Sequence, residues 1–194
     1  MKRVLLLLAD GFEAYEAAAF TDVLGFATAY GDEEIEVITV GLRPEIRCTF
    51  GFTVVPELLL DDVQDEEFDA VAVPGGFERA GFYNDAYSDP FLDVFRRFSA
   101  AGKPIAAVCT GALPVARSGV LRGRRATTYH LLDGKRRKEL AELGAHVVDE
   151  PVVRDGLIIT STSPATAADV AFNLLELLTS SDNVRTTRHS MGFS

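Results

Sequence analysis

The sequence predicts a doubly wound α/β sandwich with a mostly parallel central sheet. Three observations lead there. Short, unbroken apolar runs at residues 4–9, 70–73 and 105–108 have the character of strands buried on both faces. Longer stretches between them carry apolar residues three and four apart, the spacing of a helix with one buried stripe. The two kinds of segment alternate along the chain, which is how crossover units build a parallel sheet.

Residues 4–9 form the first strand, which ends in the turn Asp10-Gly11-Phe12-Glu13. A helix over 14–30 follows, with Ala17, Phe20, Val23, Leu24 and Ala27 on its buried stripe, and Gly31-Asp32 closes it. Residues 35–40 are the second strand. Residues 41–56 hold a small hairpin or loops around Cys48, and 61–67 are an acidic, solvated connector. Residues 69–73 are a third core strand, halted by Pro74-Gly75-Gly76. A loop bearing Phe77, Tyr83 and Tyr87 leads to a helix over 90–101, which Gly102 caps. The strand at 105–108 then delivers Cys109 to a second helix. Beyond the turn at 119–123 lies a short strand at 125–129, followed by a helix over 135–143. Short strands at 146–148 and 152–154 precede Asp155-Gly156, a strong hairpin signal, and the strand 157–160. Ser163-Pro164 starts a helix that runs to Leu178, and 182–191 are a last, more polar helix or tail. No repeat, low-complexity run or linker interrupts this order, so residues 1–194 are read as a single domain.

Charge and cysteines narrow the function. The net charge of −10 argues against nonspecific binding to nucleic acid or to an anionic membrane. The basic clusters at Arg122, Arg124, Arg125 and Lys135 to Lys138 are short and read as solvated faces. Two cysteines, Cys48 and Cys109, make no disulfide framework. The apolar run at 4–9 is too short for a signal-peptide core or a membrane span, so the cytoplasm is the expected compartment. Three scattered histidines, without HExxH or paired-cysteine spacing, predict no metal site. Asp10-Gly11-Phe12 is not a glycine-rich phosphate loop, and no cofactor is expected.

The segment Ile105-Ala106-Ala107-Val108-Cys109-Thr110-Gly111-Ala112 carries the chemistry. A cysteine between a strand and a helix has the context of a nucleophile elbow, a sharp turn held in a sparsely populated backbone region. The amide of Thr110, at a helix N-terminus, favours negative charge on a thiolate or an oxyanion. The competing reading is a buried, inert cysteine. Ligands of doubly wound sheets lie beyond the carboxyl ends of the strands. If the first, third and Cys109 strands are neighbours, the loops at 11–16, 74–76 and 109–111 share one pocket.

Together, Ala9-Asp10-Gly11-Phe12-Glu13-Ala14-Tyr15-Glu16, Val73-Pro74-Gly75-Gly76 and Ala107-Val108-Cys109-Thr110-Gly111 resemble the ThiJ/PfpI family. That family contains the Parkinsonism-associated protein deglycase and belongs to the class I glutamine amidotransferase-like superfamily. The resemblance extends to Thr127-Thr128-Tyr129-His130 and to 155–161. It implies a flavodoxin-like three-layer sandwich. It matches Cys109 to the family's reactive cysteine, Glu16 to its acidic partner, and the amides of Gly76 and Thr110 to its oxyanion-hole donors, with Gly75 and Tyr129 in the pocket. Either His130, as base or proton shuttle, or Tyr129, through its phenol, is expected at the sulfur. Thr110 departs from the peptidase-like members, which carry histidine there. Glu78 is weakly matched to an acidic residue that those members use across a subunit contact, since its spacing differs. His146 and His189 are read as structural and surface residues.

The family implies cofactor-independent glyoxalase- or deglycase-like chemistry on a small reactive carbonyl, and a homodimer or larger homo-oligomer. An oxidation-sensing protein without turnover is the alternative reading, and an intracellular peptidase or amidase a weaker one. A free thiol titrates near about 8.5, and lowering it by about two units takes roughly 2.7 kcal/mol. A helix N-terminus supplies up to about 2 kcal/mol. An ionised Glu16 would raise the thiol further, so the two groups are expected to share one proton, with protonated Glu16 donating to the sulfur.

Overall fold

A computed structural model of the chain describes residues 1–193. In chain order its elements begin with β1 (Lys2–Leu8), α1 (Ala14–Tyr30), β2 (Ile35–Gly41), β3 (Ile46–Arg47), β4 (Thr53–Val54), β5 (Leu58–Leu59) and β6 (Ala70–Val73). They continue with α2 (Phe82–Ala86), α3 (Asp89–Ala100), β7 (Ile105–Ala107), α4 (Ala112–Arg117), β8 (Arg125–Ala126), α5 (Lys135–Glu142) and β9 (His146–Val147). The chain closes with β10 (Val152–Asp155), β11 (Ile158–Ser161), α6 (Ala167–Leu178) and α7 (Ser181–Ser190).

Seven strands form one sheet in the order β10-β11-β7-β6-β1-β2-β5. Every neighbouring pair is parallel except the β10/β11 hairpin. Val4 lies opposite Val37 on one side and Ala70 on the other, and Ala72 lies opposite Ala106. Alternate side chains of β1 explain the unbroken apolar run. Leu5 and Leu7 join the core under α2, α3 and α4, while Val4, Leu6 and Leu8 join the core under α1 and α6. Helices therefore cover both faces, as a three-layer sandwich requires. The order β7-β6-β1 puts the carboxyl ends of the three predicted strands side by side.

Two expectations about the elements are corrected. The aromatic loop contains α2, because Phe82 and Ala86 insert into the core one helical turn apart. Its two tyrosines are half-buried with ring centroids 4.7 Å apart, and of Phe77, Tyr83 and Tyr87 only Phe77 is exposed. Large exposed apolar side chains include Tyr15, Phe50, Phe52 and Val55. The strand expected over 125–129 stops at Ala126 and pairs with β9 outside the main sheet. β5, a two-residue edge strand beside β2, has no sequence signal of its own. The polar C-terminal stretch is helical, and the Ser180 hydroxyl accepts from the Asn183 amide at its N-terminus at 3.2 Å. Among the described residues, no helix is long and apolar enough to cross a membrane.

Candidate active site

Three loops meet because their backbones are hydrogen-bonded to one another. The Gly11 amide donates to the Arg47 carbonyl (2.7 Å), and the Thr49 amide donates to the Phe12 carbonyl (2.8 Å). On the other side the Glu13 amide donates to the Gly75 carbonyl (2.7 Å), and the Phe77 amide to the Gly11 carbonyl (3.2 Å). Phe12 thus bridges the Cys48 and Gly76 segments like a one-residue strand. Buried Asp85 anchors this turn. It accepts from the Asp10 amide at 2.8 Å and holds the Arg43 guanidinium with two contacts of 2.6 Å.

Cys109 sits at the end of this arrangement with φ +55°, one of three non-glycine residues at positive φ among those described. An L-residue held there costs about 1–2 kcal/mol, and the surroundings must fix it. Val108 donates to the Val73 carbonyl (3.1 Å), Gly111 to the Val108 carbonyl (2.8 Å), and the Thr128 hydroxyl to the Cys109 carbonyl (2.8 Å). The sulfur-bearing residue is only 7% exposed and forms part of the floor of a cavity of about 540 Å³.

Glu16, on the first turn of α1 and buried, lies beside the Cys109 thiol and lines the same cavity. One of its oxygens accepts from the Gly75 amide at 2.6 Å. Burial pushes the Glu16 carboxyl up to about 8, against the opposing pull of the Gly75 amide and the thiol. Burial also pushes the Cys109 thiol up, and a Glu16 carboxylate adds to the rise, while the Thr110 amide and hydroxyl oppose it. For both groups desolvation outweighs the hydrogen bonds that favour the charged form, so burial works against ionising either one.

The Thr110 amide is directed at the sulfur. The Gly76 amide reaches the same cavity, but the Thr110 hydroxyl already accepts from it at 2.9 Å. At the rim, Arg136 pairs with Glu78 (2.7 Å) and Glu139 (2.9 Å) and lies over the Tyr83 ring, 4.8 Å from its centroid. Glu13, Phe77, Arg79 and Leu132 complete the mouth. Among the described residues, no group of three or more His, Cys, Asp or Glu is placed to hold a metal ion.

The model of the DJ-1/PfpI family matches residues 2–177 of the chain. The chain belongs to the DJ-1/PfpI family. It is 30% identical over 186 residues to the protein dj-1beta of Drosophila melanogaster, covering 95% of this chain and 93% of that one. It is 33% identical over 165 residues to a Pyrococcus abyssi protein named as a deglycase, covering 84% of this chain and 90% of that one. The crystal structure of Drosophila melanogaster DJ-1beta superposes with a TM-score of 0.87 at 29% identity, covering 100% of this chain and 98% of that one.

Within this DJ-1/PfpI fold, Cys109, Glu16, Gly76, Thr110 and Tyr129 all line one cavity, and Gly75 touches it through Glu16. His130 does not line it. After Tyr129 the chain turns outward, leaving His130 exposed and near Asp149. Of the two candidates for a side chain near the sulfur, the structure keeps Tyr129 at the pocket. Glu78 is exposed at the rim and paired with Lys135 and Arg136. His146 lies exposed on β9, and His189 is exposed on α7. Sequence reasoning missed Asp85, Thr128, Tyr83 and Arg136. The one available signal was an acid inside the aromatic run Tyr83-Asn84-Asp85-Ala86-Tyr87, where a charge needs a buried partner.

Gly76 is required by space. A methyl group there would run into the Gly11 carbonyl oxygen and the Phe82 ring, and backbone cannot step aside cheaply. Gly76→Ala is expected to cost about 3 kcal/mol, lowering the melting temperature by roughly 6–12 °C. A thermal melt within about 2 °C of the wild type would show that the turn relaxes freely.

Proposed function

We propose that this DJ-1/PfpI protein converts small reactive carbonyls through Cys109, in a glyoxalase- or deglycase-like reaction. The observation that carries the reading is a strained, buried sulfur at the cavity wall beside a buried carboxyl group whose pKa burial raises, with the Thr110 amide next to it. Methylglyoxal illustrates the steps. As the pair loses one proton, the thiolate form of Cys109 attacks the aldehyde carbon and the carbonyl electrons move to oxygen. The amides of Thr110 and Gly76 stabilise that oxygen, and Glu16 supplies its proton. The ionised Glu16 then takes the former aldehyde proton and returns it to the neighbouring carbon, while the hydroxyl proton passes from the former aldehyde oxygen to the ketone oxygen, giving the thioester of lactate. Water cleaves the thioester, releasing lactate and the thiol, so the sum is methylglyoxal plus water to lactate.

The name of the Pyrococcus abyssi relative supports a deglycase among related proteins, and the cavity of about 540 Å³ suits a small substrate or a short adduct. The test is lactate formation from methylglyoxal by purified protein, before and after alkylation of Cys109 with iodoacetamide. Turnover that disappears on alkylation is expected. Absence of turnover, or turnover that survives alkylation, overturns the reading. Selective peroxide oxidation of Cys109 in a protein without turnover, mapped by mass spectrometry, would favour oxidation sensing instead.

A further inference from the structure

Thr110 contributes two groups to the site, and they work against each other. Its amide faces the sulfur, while its hydroxyl straddles the Gly76 peptide. That hydroxyl accepts from the Gly76 amide at 2.9 Å and donates to the Gly76 carbonyl at 2.9 Å. The Gly76 N–H is a group that the proposed carbonyl chemistry needs for the substrate oxygen. A buried amide already paired within the protein gives a substrate nothing until its partner leaves. Beside Thr110 stands Tyr83, whose phenol also faces Arg136. The Tyr83 hydroxyl is buried next to the Thr110 hydroxyl and makes no well-formed hydrogen bond among the described residues. Native interiors seldom leave such a group unpaired.

We propose that the Thr110 hydroxyl is a removable occupant of the oxyanion-binding place, and that Tyr83 is the positioning residue that receives it when a carbonyl enters. This inference rests on the carbonyl chemistry proposed above. Threonine has few staggered side-chain positions, so its hydroxyl moves between discrete places rather than drifting. Rotation about the Thr110 Cα–Cβ bond carries the oxygen from the Gly76 peptide toward Tyr83. The freed Gly76 N–H meets the substrate oxygen, and the phenolic O–H donates to Thr110 Oγ1. The two hydrogen bonds to the Gly76 peptide are lost, and two form in their place, from the Gly76 N–H to the substrate oxygen and from the phenol to Thr110 Oγ1. In the resting protein the same hydroxyl keeps the amide satisfied.

The resting contact is tested without substrate by NMR of ¹⁵N-labelled protein. Thr110→Ala is expected to shift the Gly76 amide resonance, while Tyr83→Phe leaves it in place and leaves the melting temperature unchanged or higher, because the lost hydroxyl made no well-formed hydrogen bond. With methylglyoxal, Tyr83→Phe is expected to lower kcat/KM about fivefold, but by less than about twofold when Thr110→Ala is already present. Thr110→Ser, which keeps the hydroxyl, restores the full sensitivity to Tyr83→Phe. Equal losses in both backgrounds, or a Gly76 resonance unmoved by Thr110→Ala, overturn the proposal. A wild type without turnover overturns the carbonyl chemistry and the role of Tyr83 with it. The Gly76 resonance then reports separately whether Thr110 holds that amide.

Discussion

Replacing Cys109 with serine is expected to lower methylglyoxal turnover by at least about 10³-fold, a loss of about 4 kcal/mol in transition-state stabilisation. A hydroxyl in the same place is a far weaker acid than a thiol, and burial would penalise its anion as it does the thiolate. The measurement is lactate release at saturating substrate, and activity within tenfold of the wild type would remove the sulfur from the mechanism. A second comparison separates strain from chemistry. Cys109→Ala keeps a side chain at φ +55°, whereas Cys109→Gly does not. Both variants lack the nucleophile, yet the glycine variant is expected to be more stable by on the order of 1 kcal/mol in urea unfolding. Equal stability would show that the elbow stores no strain.

Glu16→Gln is expected to lower turnover about 10²- to 10³-fold, since the amide can accept from Gly75 but cannot relay a proton. Its effect on stability has a specific pH signature. The carboxyl is raised from an ordinary 4.5 to about 8 by burial. Below pH 4.5 it is protonated in both folded and unfolded chains, and its contribution to stability is intact. Between 4.5 and about 8 the unfolded chain ionises while the folded chain keeps the proton, so stability falls by about 1.4 kcal/mol per pH unit. Above about 8 the loss levels off. Glutamine is neutral throughout, so the variant's advantage over the wild type should widen from pH 5 to pH 8 and then hold constant. Urea unfolding at pH 5, 6, 7 and 8 measures it, and parallel curves would show that Glu16 ionises as freely in the folded protein as in solution.

The frame is legible in the sequence wherever burial is local and two-sided. Residues 4–9 have no polar face, α1 has an apolar stripe bounded by Glu13 and Gly31, and Asp155-Gly156 permits little but a hairpin. The two-residue strand β5 escapes because its stability comes from a neighbour elsewhere in the chain, which no short window contains. The site divides in the same way. Cys109 and the glycines are visible because a sharp turn restricts which residues can occupy it. The solvation of Glu16, the outward turn of His130 and the pairing of Asp85 with Arg43 depend on tertiary placement, which leaves no mark in the sequence.

The double pairing of Phe12 makes the crevice lopsided. One bank is laced to two neighbouring segments, while on the opposite bank none of the amides from Tyr129 to Asp133 donates a backbone hydrogen bond among the described residues. A guest too bulky for the crevice must therefore make room on the Leu132 side, where the chain has little to break. Hydrogen exchange should divide accordingly, slow around Gly11 and Phe12 and quick around Leu132.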